Sequence, residues 1–387
     1  MHNETKVSII IPCLNEESVI GSVIDDCLMG IKTANVSGQI LIVDSSTDRS
    51  PEIAESMGAT VVRVPRRGLG QAYLDSLAHI RGQYVIMGDA DGTYDFKEIA
   101  PFIEKMDEGY EYVMGSRLRG VIEPGAIPKL HRYFGTPLTT WILNRLFHLN
   151  FSDIHCGLRA LTTDALHRID LKSRSWEYAS EMVVKAGLLK LRSAEVPIHF
   201  YKDKEGRLSH HRRTGWFSPW YAGWINLKIM LLYAPNFVFY IPALLAIIGG
   251  LTLLVLSAAG IVSQFQAHAA FLGFVATTVG YSLIQSGLIS KIFSDLNKYY
   301  EDRLTSFLKR SFNYSRGMIT GSVMVIFGLV LSLVMLFDWA LDDFKLEALS
   351  PYGIAGLTLI TLGFQTMFFT FIYEVFKLSE ASAETTT

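Results

Sequence analysis

Four long apolar stretches in the second half of the chain, residues 237–262, 269–289, 317–337 and 352–376, limit what it can fold into more than any other feature. Each reaches the roughly 20 residues that a helix needs to cross a bilayer. Of 387 residues 50% are hydrophobic and 19% charged, too apolar for an ordinary soluble protein of this length. The apolar residues are also unevenly spread. Residues 1–213 alternate short apolar runs with charged segments, so we expect a water-soluble domain followed by four transmembrane helices. The N-terminus has too short an apolar core, and the wrong flanks, for a signal peptide.

The loops give an expected orientation. Between the second and third stretches lie Lys291, Lys298, Arg303, Lys309, Arg310 and Arg316, while the two opposite loops carry only Lys345. Basic loops stay on the cytoplasmic side, which places both termini there and puts residues 1–213 in the cytosol. The expected organisation is a catalytic domain over 1–213, an amphipathic juxtamembrane helix over 214–235, a transmembrane domain over 236–377 and a cytoplasmic tail over 378–387. Cys13, Cys27 and Cys156 are sparse and odd in number, which in a reducing compartment reads as free thiols. Net charge near −2 excludes no partner, but residues 202–213 are strongly basic and point to a phosphate-bearing or anionic-lipid partner.

Within the first half, apolar strands at 6–11, 39–43, 60–64 and 84–87 alternate with helical segments at 16–28, up to Met57 and up to Ile80. That alternation is the signature of a parallel, doubly wound sheet. A dinucleotide-binding reading fails, because the first turn reads Pro12-Cys13-Leu14-Asn15-Glu16-Glu17 and lacks the glycines that receive a pyrophosphate. A polar first turn, with Asp44 at the end of the second strand, suits hydrogen bonds to a base and a ribose. Helix capping explains such residues equally well.

The fourth strand, Tyr84 to Met87, delivers Gly88 and then Asp89 and Asp91, with Asp95 close behind. Ligands of open α/β sheets bind beyond the carboxyl ends of the strands. Side chains at i and i+2 of an extended segment point the same way, which lets Asp89 and Asp91 share one hard cation. A plain Asp-Gly turn is the alternative, and Asp95 reads as the cap of the next helix.

In chain order, the strings SIIIPCLNEE, ILIVDSSTDRS, GLGQAY, GDADGTYDF, VMGSRLRG, HRYFGTPLTTWILN, FSDIHCGLRAL and AEVPIHF, together with four C-terminal spans, resemble the family 2 glycosyltransferases of GT-A fold. Within them the chain looks like the polyprenyl-phosphate glycosyltransferases, the group that includes dolichyl-phosphate mannose synthase and undecaprenyl-phosphate glucosyltransferases. The resemblance implies a cytosolic α/β GT-A domain, Rossmann-like, joined to an α-helical transmembrane domain of four spans. It implies a metal-dependent, inverting hexosyltransferase, with UDP-glucose favoured as donor and GDP-mannose next, acting on undecaprenyl or dolichyl phosphate in cell-envelope glycan synthesis or protein glycosylation. The setting it implies is the plasma membrane of a prokaryote. The expected partners are a nucleotide sugar, a polyprenyl phosphate lipid and the bilayer, with room for a homo-oligomer; nucleic acid is not among them.

Carried over residue by residue, the resemblance assigns Pro12, Asn15, Glu16, Asp44, Arg66, Gly70, Asp89 and Ala90 to the nucleotide sugar, and Asp89 and Asp91 to Mg2+ or Mn2+. A divalent ion there acts as a Lewis acid on the leaving diphosphate. Asp91 and Asp153 are the expected catalytic residues, Asp153 as the acid that activates or positions the acceptor. A phosphate monoester has a second pKa near 6, is largely dianionic in the cytosol and needs no strong base, so an orienting or metal-assisting role for Asp153 is equally open. Arg117, Arg119, Arg159, Arg207, Ser209 and Arg212 are assigned to the acceptor phosphate, guanidinium forks being matched to phosphate. Arg117 and Arg119 follow a strand at 112–114, and surface arginines on a loop are the alternative reading. His210 stands where the family commonly has lysine, and the basic cluster around it also suits anionic lipid. His155 and Cys156, adjacent in one strand, would point to opposite faces, which disfavours a Cys–His nucleophile.

Trp216, Phe217, Trp220, Tyr221 and Trp224 read as a helix lying in the headgroup layer, and 131–150 as a second membrane-facing helix or a core helix. The rival readings are a glycosyltransferase acting on diacylglycerol or ceramide, and a non-catalytic transport or flipping component with a nucleotide-sensing domain. Few charges interrupt the spans, unlike a transporter pathway.

Overall fold

A computed structural model of the chain describes residues 5–66, 68–203, 218–292, 306–307, 313–341 and 351–384. The chain divides into two compact units, Met1–Tyr233 and Ala234–Thr387.

The first unit is a seven-stranded sheet in the order β3-β2-β1-β4-β6-β5-β7. The strands are β1 (Val7–Cys13), β2 (Gly38–Asp44), β3 (Thr60–Arg63), β4 (Tyr84–Met87), β5 (Tyr112–Ile122), β6 (Arg159–Thr162) and β7 (Ser193–Phe200). Between them run α1 (Ile20–Thr33), α2 (Ser50–Ser56), α3 (Leu69–Ser76), α4 (Ala100–Asp107), α5 (Thr136–Phe147), α6 (Thr163–Ile169) and α7 (Tyr178–Leu188), and α8 (Ser218–Leu232) closes the unit. Val7, Ile9, Ile10 and Ile11 of β1 and all four residues of β4 are buried, as expected for central strands covered on both faces.

The sheet is not wholly parallel. β6 runs antiparallel to both β4 and β5, while β1, β2, β3 and β4 are mutually parallel, as are β5 and β7. The carboxyl ends of β1, β2, β4 and β5 therefore share one edge of the sheet with the amino end of β6. β5 is also longer than its apolar run. Paired with β7 it continues through Ser116 to Ile122, with a slip of register between Ser116 and Val121, so Arg117 and Arg119 lie in a strand and not on a loop. A bulge of this kind re-aims the side chains beside it.

The second unit contains four helices long and apolar enough to cross a membrane, Asn236–Ala258, Gln266–Ile292, Tyr314–Leu341 and Tyr352–Leu378. Each contains one expected stretch nearly whole and overruns most of its limits. Glycines bring them together in pairs. A side chain on Gly250 would lie 2.8 Å from Gly273 O, and one on Gly328 would lie 2.6 Å from Gly356 O, so the backbones cross too closely for anything larger. Their outward residues, including Leu244, Ile248, Leu333 and Phe337, are exposed, as befits a lipid-facing surface.

Candidate active site

At the shared sheet edge Cys13 lies beside Asp44, and Ile10 beside Met87, two residues before Asp89. The Asp44 carboxylate is fully buried. Its Oδ2 accepts from Ser46 N at 3.0 Å and from the Arg63 guanidinium, while Oδ1 has no partner among the described residues. A buried carboxylate oxygen left without a donor costs about 1–3 kcal/mol or more, so this atom favours a ligand N–H or O–H. The guanidinium that reaches Asp44 is that of Arg63, its pairing partner in β3, while Arg66, assigned to the nucleotide sugar, is exposed.

The β1–α1 turn is stitched to the β2–α2 turn. Asn15, in the left-handed conformation at φ 58°, accepts from Thr47 N at 2.8 Å and donates its own N–H to Ser46 Oγ at 2.7 Å. Glu16 is 5% exposed and donates its N–H to Ser50 Oγ at 2.9 Å. Pro12 sits against Val43 in the sheet. The Gly70 position owes its residue type to the backbone beside it, since a Cβ there would lie 2.3 Å from Ser173 O.

Beyond β4, Ala90 is buried and Asp89 and Asp91 are partly exposed. Asp91 Oδ1 accepts from Thr93 N at 2.9 Å and Thr93 Oγ1 at 2.6 Å, so the string is a turn and presents carboxylates at the same time. Gly157 abuts Asp89 so closely that a Cβ would lie 2.8 Å from Asp89 Oδ2, and its N–H donates to Tyr94 OH at 2.7 Å. Among the described residues no group of three His, Cys, Asp or Glu gathers to hold a metal. Two partly exposed carboxylates just past the carboxyl end of β4 fit Mg2+ or Mn2+, which keep water and take further oxygens from a diphosphate. Asp95 caps the next turn, accepting from Lys97 N at 3.0 Å.

On the acceptor side Asp153 is fully buried and gripped by Arg117 through Nε to Oδ2 at 2.7 Å and Nη2 to Oδ1 at 2.9 Å. Burial pushes the Asp153 carboxyl up, but the charge and hydrogen bonds of Arg117 outweigh it and hold the group below the usual range. Arg117 also stacks over Phe200 at 5.2 Å. Asp153 and its neighbours lie in a turn before β6 and not in a strand. Burial pushes the His155 imidazole down to about 4, and its Nε2 shares a hydrogen bond of 2.8 Å with Thr139 Oγ1. Burial pushes the Cys156 thiol up to about 12, so it is no nucleophile. All three cysteines are free and buried.

One placement here departs from expectation. Arg159 is fully buried, with Nη2 donating to Cys156 O at 2.6 Å and Nη1 to Ala179 O at 3.2 Å; it supports the turn from beneath and does not reach the acceptor surface. Arg119 is exposed and pairs with Glu195 at 3.4 Å. Glu195, to which the sequence reading gave no role, accepts from Ser152 N at 2.6 Å and Asp153 N at 3.3 Å and so sets the Asp153 turn. Its signal was a carboxylate inside a short apolar strand. Arg207, Ser209, His210, Arg212, Trp216 and Phe217 lie outside the described residues. In α8 Trp224 and Leu232 are exposed while Met230 is buried. On the helix that includes α5, Tyr133, Phe134 and Trp141 are exposed.

Against known proteins, residues 8–170 match the model for "Glycosyl transferase family 2", and residues 288–377 that for "Glycosyltransferase family 2 C-terminal transmembrane region". The low-salt glycan biosynthesis hexosyltransferase Agl6 of Haloferax volcanii is 33% identical over 370 residues, 95% of this chain and 88% of that protein. From the same organism, a dolichyl-phosphate hexose transferase is 28% identical over 52% of this chain and 84% of its own length. Glycosyltransferase AglJ, also from that organism, is 32% identical over 52% of this chain and 64% of its own length.

Proposed function

We propose that this chain, which belongs to glycosyltransferase family 2, transfers a hexose from a nucleotide sugar to a polyprenyl phosphate, with inversion and with a divalent cation. The chain is a glycosyltransferase with a membrane-embedded C-terminal region. The finer reading rests above all on one observation, the capture of Asp153 by Arg117. A hydroxyl acceptor such as diacylglycerol or ceramide needs a base to take its proton. A carboxylate with both oxygens held by a buried guanidinium is poorly placed for that. A phosphate acceptor arrives as a dianion, needs no base and is drawn by arginines.

The nucleoside would sit over the ends of β1 and β2, its base or ribose donating to Asp44 Oδ1. Asp89 and Asp91 would hold Mg2+ or Mn2+, which would neutralise the diphosphate as the glycosyl bond breaks. Asp153, fixed by Arg117, Glu195 and the turn before β6, would orient the acceptor. A phosphate oxygen then bonds to the anomeric carbon from the face opposite the leaving group, and the diphosphate departs with the bonding electrons. The name of the dolichyl-phosphate hexose transferase supports a polyprenyl phosphate acceptor. UDP-glucose is the first donor to try and GDP-mannose the second. The basic loop between the second and third spans supports a cytoplasmic catalytic unit.

Acceptor choice and its pH dependence test the reading. With purified protein in detergent and a saturating labelled donor, kcat/KM for undecaprenyl or dolichyl phosphate is expected to rise through pH 6 with acceptor ionisation and then level off. Transfer to diacylglycerol or ceramide with polyprenyl phosphate inert would overturn it.

A further inference from the structure

Glu181 lies on α7 outside every contact described so far, is 1% exposed, and its carboxylate gathers donors from three places. One is the 172–173 loop: Lys172 N reaches Oε1 at 3.0 Å and Ser173 N reaches Oε2 at 2.7 Å. The second is Lys185, one turn on and fully buried, which forms an ion pair with Glu181 and donates to Asp170 O at 2.7 Å, holding the same loop from its other end. The third is Tyr233, whose hydroxyl donates to Oε1 at 3.3 Å.

The loop so fixed is the wall against which the donor-side segment 68–71 is built. Gln71 N donates to Arg174 O at 2.9 Å. A Cβ on Gly68 would lie 2.4 Å from Arg174 O and one on Gly70 would lie 2.3 Å from Ser173 O. Downstream in α3, Tyr73 OH donates to Gly88 O at 3.3 Å, the carbonyl immediately before Asp89, and Tyr73 packs on Tyr178 of α7 at 4.8 Å. At the other end, Tyr233 follows α8 and stands three residues before the first membrane-spanning helix. α8 is held to α7 a second time, by Ser180 Oγ donating to Asn226 Oδ1 at 2.8 Å. Asn226 within α8 and Tyr233 just past its end thus both meet one turn of α7, at Ser180 and Glu181.

We propose that Glu181 is a positioning residue for the donor site, and that through Tyr233 it ties the donor-side segment 68–71 and the Asp89 turn to the point where the chain enters the membrane. A buried ion pair adds little net stability over apolar residues of the same volume, whereas a carboxylate with four partners specifies one arrangement of them. In this arrangement donor affinity depends on a bond to the membrane-entry segment. The inference rests on the nucleotide-sugar reading above, and the test separates the two.

The experiment measures binding and turnover independently on the full chain in lipid nanodiscs. Nucleoside diphosphate binding with Mn2+ is read by calorimetry, and KM for donor and for polyprenyl phosphate by label transfer. Tyr233→Phe removes one hydroxyl and leaves packing intact. It is expected to raise donor KM and nucleotide Kd about three- to tenfold, with unfolding temperature and lipid KM unchanged. Gly70→Ala, which pushes on the loop from the opposite side, is expected to shift donor affinity in the same direction, as is Glu181→Gln. A merely structural role would lower the folded fraction, and with it kcat, while leaving Kd and KM alone. Wild-type donor affinity in folded Tyr233→Phe and Gly70→Ala would overturn the proposal. If the wild-type protein bound no nucleoside diphosphate, the nucleotide-sugar reading would fail instead, and this inference with it.

Discussion

Arg117 and Asp153 face each other as fork and carboxylate, with two near-parallel hydrogen bonds of 2.7 and 2.9 Å in a place where Asp153 has no solvent exposure and the Arg117 side chain has 12%. Breaking a buried pair by removing one partner leaves an uncompensated charge and costs about 3–5 kcal/mol. Arg117→Ala is therefore expected to lower the stability of the catalytic unit by about that much, and Arg117→Ala/Asp153→Asn to recover most of it. Denaturant unfolding of the four proteins in one detergent checks the cycle; additive losses would show that the pair is not coupled. Asp153→Asn alone is expected to abolish transfer while donor binding survives.

Asp91→Asn keeps a side-chain oxygen for the turn with Thr93 and removes the charge. Transfer is expected to fall at least a hundredfold, with folding and membrane association retained. Assay of the purified variant across Mn2+ concentrations measures this. Wild-type turnover at ordinary Mn2+ would remove Asp91 from the metal.

Gly157→Ala tests the wall behind Asp89. The new methyl would sit 2.8 Å from Asp89 Oδ2 and 2.9 Å from Tyr94 OH. Because the intrusion is into the site and not the core, activity is expected to drop more than tenfold while the unfolding temperature falls only a few degrees. A well-folded variant with unchanged activity would contradict the placement of Asp89.

His155 carries a pH signature. Its ordinary value is 6.5 and burial pushes it down to about 4, so between those values the unfolded chain takes up a proton that the folded chain refuses. Its contribution to stability is fully present above pH 6.5 and is lost as pH falls towards 4. The loss is on the order of 2 kcal/mol, discounted because His155 as a whole residue is only partly buried. Unfolding of wild type and His155→Gln at pH 7.5 and 5 measures it. An equal fall in both would assign the acid sensitivity elsewhere.

The sequence carried the membrane half and the donor edge unusually far. Tyr84 to Met87 is a strand with the limits its apolar run implies, because four consecutive buried residues leave no other reading. The four spans were legible for the same reason, and their ends moved because helix termini depend on caps and loops more than on hydropathy. The direction of β6 was not legible. Arg159-Ala-Leu-Thr carries no mark of antiparallel pairing, which follows from how the chain reaches it. β5 was cut short because its second half alternates arginine with small and apolar residues and is held extended by β7. Arg159 was assigned to the acceptor by its place in the motif string, and only the assembled sheet shows it enclosed. Arg117 with Asp153, and Glu195 with Ser152, are 36 and 43 residues apart, so the pairings exist only once the topology does.

The central claim is transfer of a hexose to a polyprenyl phosphate. The most direct measurement incubates the purified full-length protein and Mn2+ with a panel of labelled nucleotide sugars, with and without undecaprenyl phosphate, and follows label into an organic phase. The account predicts label in the organic phase only when lipid phosphate and metal are both present, with one nucleoside diphosphate released per sugar transferred and no transfer by Asp91→Asn. Organic-phase label that does not require the lipid phosphate, or nucleotide release without any lipid product from every donor tried, would contradict it.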